Sequence, residues 1–361
     1  MKTLPFSFNH NHPELLKTLA KANRTLGELK GYSKVLPNQH ILINAMTLNE
    51  AKDSSEIEHI VTTHDELYKA MGKDDVVHLA AKEVLNYRRA LWHGFEFVQK
   101  RGFIHTNLMI EIHDIIDGNR PGIRTLPGTK IMNPSTNEVI FIPPESYVEI
   151  ISLLKNLESY INKDYDVDPL IQLSIMHYQF ETIHPFYDGN GRTGRVLNIL
   201  FLVLKGLLDS PILYLSKYIL KEKKDYYLKL NAIQNQEEGA VEEWIIYMLN
   251  AVHQTADETL KILMEINEQI DLYTERLKEK LPKLYSKDLV EALFYEFYTK
   301  TYYLEDTLGI SRRTAITYLK QLEEEGFLES EMIGRERIYK NTALFDLLKE
   351  TNSAYFTHRR N

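Results

Sequence analysis

The chain of 361 residues contains no cysteine. That excludes disulfide bridges, thiolate metal ligands and thiolate nucleophiles, and it fits a reducing compartment. Positive charge is also in short supply: 43 Lys and Arg stand against 51 Asp and Glu, a formal net charge of −8. A generic basic nucleic-acid binder is thereby excluded, although a local DNA-binding face is not. Long hydrophobic runs are missing too. The most apolar stretch, Val196 to Leu208, is too short to span a bilayer and is broken by Asn198 and Lys205. The N-terminal "MKTLPFSFNHNHPELL" lacks the apolar core of a secretory signal, so a cytoplasmic protein with no membrane partner is expected.

Strand signals are scarce, and helical spacing dominates. Helices are expected over 14–30, 48–58, 65–71, 76–100 and 105–116, with "VLPNQH" as a turn and Gly31 and Gly102 as stops. The segment "DGNRPGIRTLPGTKIMNPSTNEVIFIPPESY" is dense in glycine and proline; "TKIM" and "EVIFI" flank the turn-forming "NPSTN" and predict a β-hairpin. Asp168 is a candidate N-cap, with Pro169 at the first helical position. Leu170, Leu173, Met176, Phe180 and Ile183 then predict a central helix. Leu263, Ile266, Ile270, Tyr273 and Leu277 form a heptad-like seam, read either as packing on the helix's own domain or as a homodimer contact.

The most polar stretch between apolar segments is "HPFYDGNGRTGR", residues 184 to 195. Two glycines flank Asn190, the non-glycine type that best tolerates left-handed backbone, so successive N–H groups can converge on an anion. A helix starting near Thr193 would add its N-terminal partial charge, and Arg192 and Arg195 add two full charges. Asp188, the only carboxylate of the loop, suits a Mg²⁺ ion that also binds phosphate oxygens. His184 can accept a proton from an attacking hydroxyl. Phe186 reads as an anchor into the core, and His177 as a core histidine. The combination describes phosphoryl or nucleotidyl transfer to a hydroxyl; a plain glycine-rich connection, or a His–Asp transition-metal pair, are the blander readings.

This stretch resembles the Fic family signature, HxFx(D/E)GNGRxxR, at every defined position. "LIQLSIMHYQFETIHPF", "SPILYLSKYILKEKKDYYLKL" and "PGIRTLPGTKIMNPSTNEVIFIPPESYVEIISLL" are similar to Fic proteins as well, and "ANRTLGELKGYSKVLPN" resembles the domain that often precedes the Fic core. The resemblance implies a mainly α fold: a Fic-type helical core with a small β-hairpin flap. It also implies transfer of AMP from ATP, with Mg²⁺, to a Ser, Thr or Tyr hydroxyl of a target protein. In that reading His184 is the base and Asp188 holds the metal. Gly189, Asn190, Gly191 and Arg192 bind phosphate, and Arg195 grips the γ-phosphate. Ile131, Ile140, Phe141 and Ile142 belong to the flap that aligns the target by strand addition. Doc-type relatives carry lysine where Gly191 stands, bind ATP reversed and phosphorylate instead; other phosphate donors also occur in the family. Ser54 and Glu58 fit the spacing of the family's inhibitory pattern, (S/T)xxxE(G/N), but His59 departs from it. Glu58 would then pair with Arg195 in place of the γ-phosphate. In some relatives the same glutamate assists removal of AMP.

At the C-terminal end, a short helix closing near Gly309, a helix capped by Ser311 with Ala315, Leu319 and Leu322 on one face, and a hairpin turning near Gly334 predict a winged helix. Arg312, Arg313, Thr314 and Thr317 on its second helix, with Arg335 and Arg337 in its wing, are the candidate DNA contacts. They open a competing reading as a DNA-binding regulator; protein or target recognition is the other. The expected organisation is an N-terminal helical region over 1–100, a catalytic core over 101–258, a connecting helix over 259–285 and a winged-helix domain over 286–350.

Overall fold

A computed structural model describes residues 3–34, 39–71, 79–119, 122–132, 139–296, 298–333 and 336–353. In chain order its elements are α1 (Pro13–Tyr32), α2 (Gln39–Ile57), α3 (His64–Met71), α4 (Leu79–Arg101), α5 (Thr106–Asp117), β1 (Ile131–Met132), β2 (Val139–Phe141), α6 (Tyr147–Asn162), α7 (Pro169–Ile183), α8 (Asn190–Leu204), α9 (Ser216–Lys221), α10 (Lys223–Gln234) and α11 (Ala240–Lys280). They continue as α12 (Lys287–Tyr295), β3 (Tyr298–Thr299), α13 (Thr301–Leu308), α14 (Arg312–Glu324), β4 (Leu328–Ile333), β5 (Glu336–Asn341) and α15 (Thr342–Ser353). The fold is mainly helical. It divides into two compact units: Met1–Lys30, Glu50–Val61 and Glu83–Asp257 in one, and Gly31–Asn49, Thr62–Lys82 and Glu258–Asn361 in the other.

The first unit is organised around α7. Asp168 caps it by accepting from the Leu170 N–H at 2.8 Å, and Pro169 begins it. Every residue from Leu170 to Ile183 is buried. A helix apolar or buried on all sides belongs in the centre of a core, and α7 packs against both α6 and α8. Helix α8 is buried in turn from Arg192 to Leu202. Each fully buried leucine contributes roughly 1.5–3 kcal/mol, so the facing ends of α7 and α8 are fixed points. The flap is the antiparallel pair β1–β2, with Ile131 opposite Phe141 and Met132 opposite Val139. Its turn, residues 133–138, lies outside the described residues, as does most of the "VLPNQH" turn.

Helix α2 starts at Gln39, well before the expected Leu48. Ile41 to Glu50 are all buried, so no exposed face interrupts the pattern and no period marks the helix. Helix α8 starts at Asn190 rather than near Thr193. In the second unit, Ser311 caps α14 and Ala315, Leu319 and Leu322 are its buried face. The hairpin β4–β5 runs from Leu328 opposite Asn341 to Ile333 opposite Glu336. Strand β3, which two residues are too few to announce, extends it to the order β3-β5-β4. The heptad-like seam is buried within this unit: Tyr273 packs its ring 5.1 Å from Phe294 and 4.8 Å from Phe327, centroid to centroid. The other four residues of the seam are buried as well.

Candidate functional site

The polar loop is the short path between two buried helix ends. Helix α7 closes on His184, whose backbone is left-handed (φ 49°, ψ 59°) and whose N–H still bonds the Phe180 carbonyl at 3.1 Å. The chain then crosses to Gly189, also left-handed (φ 68°), which begins α8. Asn190 holds this crossing together. Its side chain accepts from the Phe186 N–H at 2.8 Å and donates to the Phe186 carbonyl at 2.9 Å. Phe186 is buried and stacks on the His113 ring at 3.8 Å, as an anchor should. His113 Nε2 donates to the Asp188 carbonyl at 3.0 Å. The first-turn N–H groups of α8 lack intrahelical partners and face the loop's concave side, an intrinsic anion site.

Two buried arginines complete that site, and a carboxylate already occupies it. Glu58, one residue beyond the end of α2, accepts from Arg195 Nη2 at 2.8 Å through one oxygen and from Arg192 Nε at 2.9 Å through the other. Arg192 also donates to Glu83 at 2.9 Å. Arg195 is held further by Ser54, through its hydroxyl and its carbonyl, each at 2.8 Å. The arginine side chains are only 4% and 3% exposed, so these contacts are shielded from water. Burial alone would push the Arg195 guanidinium down, but the charges of Glu58 and Glu181 outweigh it and hold it above its ordinary value. A Cβ at Gly191 would lie 2.5 Å from a Glu58 oxygen and 2.7 Å from Arg195 Nη1, so the glycine makes room for this ion pair. His59 explains its own departure from pattern. Its φ is 66°, the left-handed end of a helix that glycine or asparagine usually takes, and histidine is among the side chains that tolerate it.

His184 sits beside this pocket. Burial pushes its imidazole down to about 4, against the Glu181 carbonyl, which favours the charged form. Its Nδ1 lies 3.3 Å from that carbonyl oxygen. A carbonyl can only accept, so Nδ1 carries the hydrogen and Nε2 keeps its lone pair. The result is a neutral base of defined tautomer. Asp188 is exposed, with one oxygen accepting from the Gly189 N–H at 2.6 Å. Among the described residues no group of three or more His, Asp or Glu could hold a metal by itself, so a cation here would share Asp188 with ligand oxygens.

His184, Asp188, Gly189, Asn190, Gly191, Arg195 and Glu58 all line one cleft of about 220 Å³. Tyr226, Tyr227 and Leu230 of α10 form its apolar wall, and Ile131 and Phe141 of the flap border its mouth. Ile142 is exposed, and Ile140 lies in β2. His177 is buried under the site, 3.0 Å from the Tyr226 hydroxyl, and burial pushes it down to about 3, as befits a core histidine. In the second unit Arg312 and Arg313 are exposed at the start of α14, while the Thr314 hydroxyl bonds Ser311 at 2.9 Å; Arg335 lies outside the described residues.

Several residues of the site carry no mark in the sequence. Glu83 shares Arg192, and Glu181 lines the cleft with its carboxyl pushed up to about 7 by burial. Lys223 donates to the carbonyl of Ile57, the last residue of α2, at 2.6 Å. Arg124 binds the backbone of the loop itself. Each is a single residue far along the chain from its partner, within an ordinary helix or turn.

Comparison with known proteins covers the chain in three parts. Residues 16–96 match the Fic/DOC family N-terminal model, residues 103–202 the Fic/DOC family model, and residues 270–344 the model for the C-terminal domain of SoFic-like protein adenylyltransferase. A probable protein adenylyltransferase of Aquifex aeolicus is 30% identical over 207 residues, 55% of this chain and 58% of that one. Protein adenylyltransferase Fic of Drosophila willistoni is 26% identical over 155 residues, 41% of this chain and 29% of that one. This chain thus spans little more than half, or less, of those relatives. A crystal structure of a Fic family protein from Desulfovibrio desulfuricans aligns over 94% of this chain and 98% of its own, with a TM-score of 0.59 at 19% identity. Fic-1 of Caenorhabditis elegans aligns over 71% and 75%, with a TM-score of 0.54 at 18% identity. These likenesses establish a shared fold.

Proposed function

Because the chain belongs to the Fic/DOC family through its N-terminal, central and C-terminal regions, we propose that it is a protein adenylyltransferase, moving AMP from ATP to a hydroxyl of a target protein and restrained by Glu58. The observation that carries this reading is the pocket at the start of α8. Two buried arginines and a helix N-terminus grip a carboxylate, and a neutral imidazole of the same loop lines the same cleft. A site that holds one anion so firmly suits a polyphosphate once that carboxylate leaves.

In the working state the triphosphate replaces Glu58 on Arg192 and Arg195, and the base lies against the aromatic wall of α10. The target's Ser, Thr or Tyr hydroxyl, aligned along the flap, attacks the α-phosphorus. A bond forms between the hydroxyl oxygen and that phosphorus, the bond to the bridging oxygen breaks, and pyrophosphate leaves. His184 Nε2 takes the hydroxyl proton. Asp188 fits Mg²⁺ shared with phosphate oxygens, where the ion would supply charge neutralisation at the leaving group. A cytoplasmic location fits the absence of cysteine, and among the described residues no helix is long and apolar enough to cross a membrane.

The test is label transfer to protein from α-labelled and, separately, γ-labelled ATP. Label from the α-phosphate alone is expected. Label from the γ-phosphate alone would mean a kinase and a reversed nucleotide. The pH profile adds a second expectation. Because kcat/KM reports groups of the free enzyme, a base held at about 4 keeps transfer level from pH ~7 down to ~5. Glu181, in the same cleft and pushed up to about 7, titrates in that range too, so the profile is repeated in Glu181→Gln, where an acid limb near the ordinary imidazole value of 6.5 would show that His184 is not the buried base described.

DNA regulation has less support. Lys300, Lys320, Arg337 and Lys340 each lie beside a glutamate, Glu336, Glu324, Glu323 and Glu329 respectively, which dilutes the positive charge near Arg312 and Arg313.

A further inference from the structure

Arg124 is a fully buried arginine whose bonded partners are backbone carbonyls. Its Nε donates to the carbonyl of His184 at 2.7 Å. Its Nη2 donates to the carbonyl of Pro144, three residues beyond the end of β2, and to that of Ile183 at 3.4 Å. The Arg124 N–H bonds the Pro185 carbonyl at 2.9 Å. The next two residues follow the same course: the N–H groups of Thr125 and Leu126 donate to the Tyr187 hydroxyl at 3.0 and 3.3 Å. The segment before the flap is thus docked along the motif loop from Ile183 to Tyr187.

Two features make this more than packing. His184 has left-handed backbone, which costs a non-glycine residue free energy and persists only where surrounding contacts hold it. The carbonyl that reports this conformation is the one the guanidinium grips. In addition, the same planar fork reaches Pro144 on the segment that leads out of the flap, and a rigid fork fixes two acceptors relative to each other as a flexible ammonium cannot. We propose that Arg124 is a positioning residue that sets His184 and the flap in one frame, so that a target segment lying on the flap presents its hydroxyl at the distance from Nε2 that proton transfer needs.

This rests on the reading of the site as an AMP transferase, and the test separates the two. Variants are made in a Glu58→Gly background so that transfer is measurable. Arg124→Lys keeps the charge and loses the fork. Its kcat is expected to fall roughly ten- to hundredfold, with KM for ATP within about twofold, because the phosphate contacts are elsewhere. Arg124→Met loses the charge as well. The charges of Glu58 from the end of α2 and Asp188 from its own loop also act on His184, while Glu181 of α7 meets it through its backbone carbonyl and lines the same cleft. With Glu58 already removed and the other two unchanged, loss of the Arg124 cation should move the acid limb of kcat/KM upward. In Arg124→Lys the limb should stay in place. A general loss of folding would lower the melting temperature and ATP binding together without moving the limb. If Arg124→Lys turns over like its parent, or if Arg124→Met folds and keeps the parent's limb, the proposal is overturned. Should Arg124→Met not fold, the kcat of Arg124→Lys decides alone. If the parent itself transfers nothing from α-labelled ATP, the reading of the site fails instead. The His184 titration, followed by NMR in Arg124→Lys and Arg124→Met, then tests the positioning, and equal midpoints in the two would refute it.

Discussion

Replacing Glu58 with glycine is expected to raise AMP transfer by at least about tenfold, a shift of ~1.4 kcal/mol in favour of the open site. Both oxygens of Glu58 are bonded to the arginines proposed to bind the triphosphate, at 2.8 and 2.9 Å. Ligand and side chain therefore compete for the same donors, and removing the side chain removes the competitor. The change has a thermodynamic counterpart that points the other way. Removing Glu58 takes one carboxylate from two buried arginines, leaving Arg192 with Glu83 and Arg195 with Ser54 and the Glu181 charge, so their positive charge is less well compensated. The nucleotide-free variant should therefore melt at a lower temperature than the parent. Saturating ATP with Mg²⁺ should recover most of the difference, because it stabilises only the folded state. Initial rates with α-labelled ATP and melting curves with and without nucleotide test both halves. A folded Glu58→Gly protein no more active than the parent, on itself or on a target, would end the inhibitory assignment.

His184→Ala is expected to lower transfer by about 10²–10⁴-fold, the usual worth of a positioned general base, while ATP affinity changes little. The separation follows from the geometry. The phosphate contacts proposed here come from Arg192, Arg195 and the start of α8, and none passes through the imidazole. The backbone at residue 184 also keeps its bond from Arg124, since that bond uses the carbonyl. Fluorescent-nucleotide binding alongside single-turnover transfer separates loss of chemistry from loss of binding. Turnover retained at the parent's level would remove His184 as the base and shift attention to Glu181, a titratable group of α7 in the same cleft.

Much of the catalytic half of this site is legible because its determinants are local. Asp168 and Pro169 announce the start of α7, and the glycines of the loop announce its end. What was misjudged there has a local cause as well. The Gly-Asn-Gly run suggests an extended turn, yet only Gly189 takes positive φ. Asn190 spends its side chain on both polar groups of Phe186, so the helix winds on through Gly191. The anion pocket is legible in part. Ser54, Glu58, Arg192 and Arg195 follow a family pattern, and they do converge. Glu83 and Lys223 are surface-type residues in helices of ordinary composition, and nothing near them in sequence shows what they meet. Arg124 is the hardest case. Its partners are carbonyl oxygens, which every residue possesses, so no complementary side chain exists to be noticed.

The grip of Glu58 on two arginines has a quantitative consequence for the resting protein. A pocket proposed to take polyphosphate would otherwise fill with whatever anions surround it. A carboxylate tethered one residue beyond a helix competes at an effective concentration in the ~mM range, as short tethers do. Free anions must exceed that figure, or bind much more tightly, before they displace it. The tether therefore acts as a threshold on nucleotide supply, and its height depends on how well the end of α2 is held: by Ser54 on Arg195, by Lys223 on the last carbonyl, and by the left-handed turn at His59.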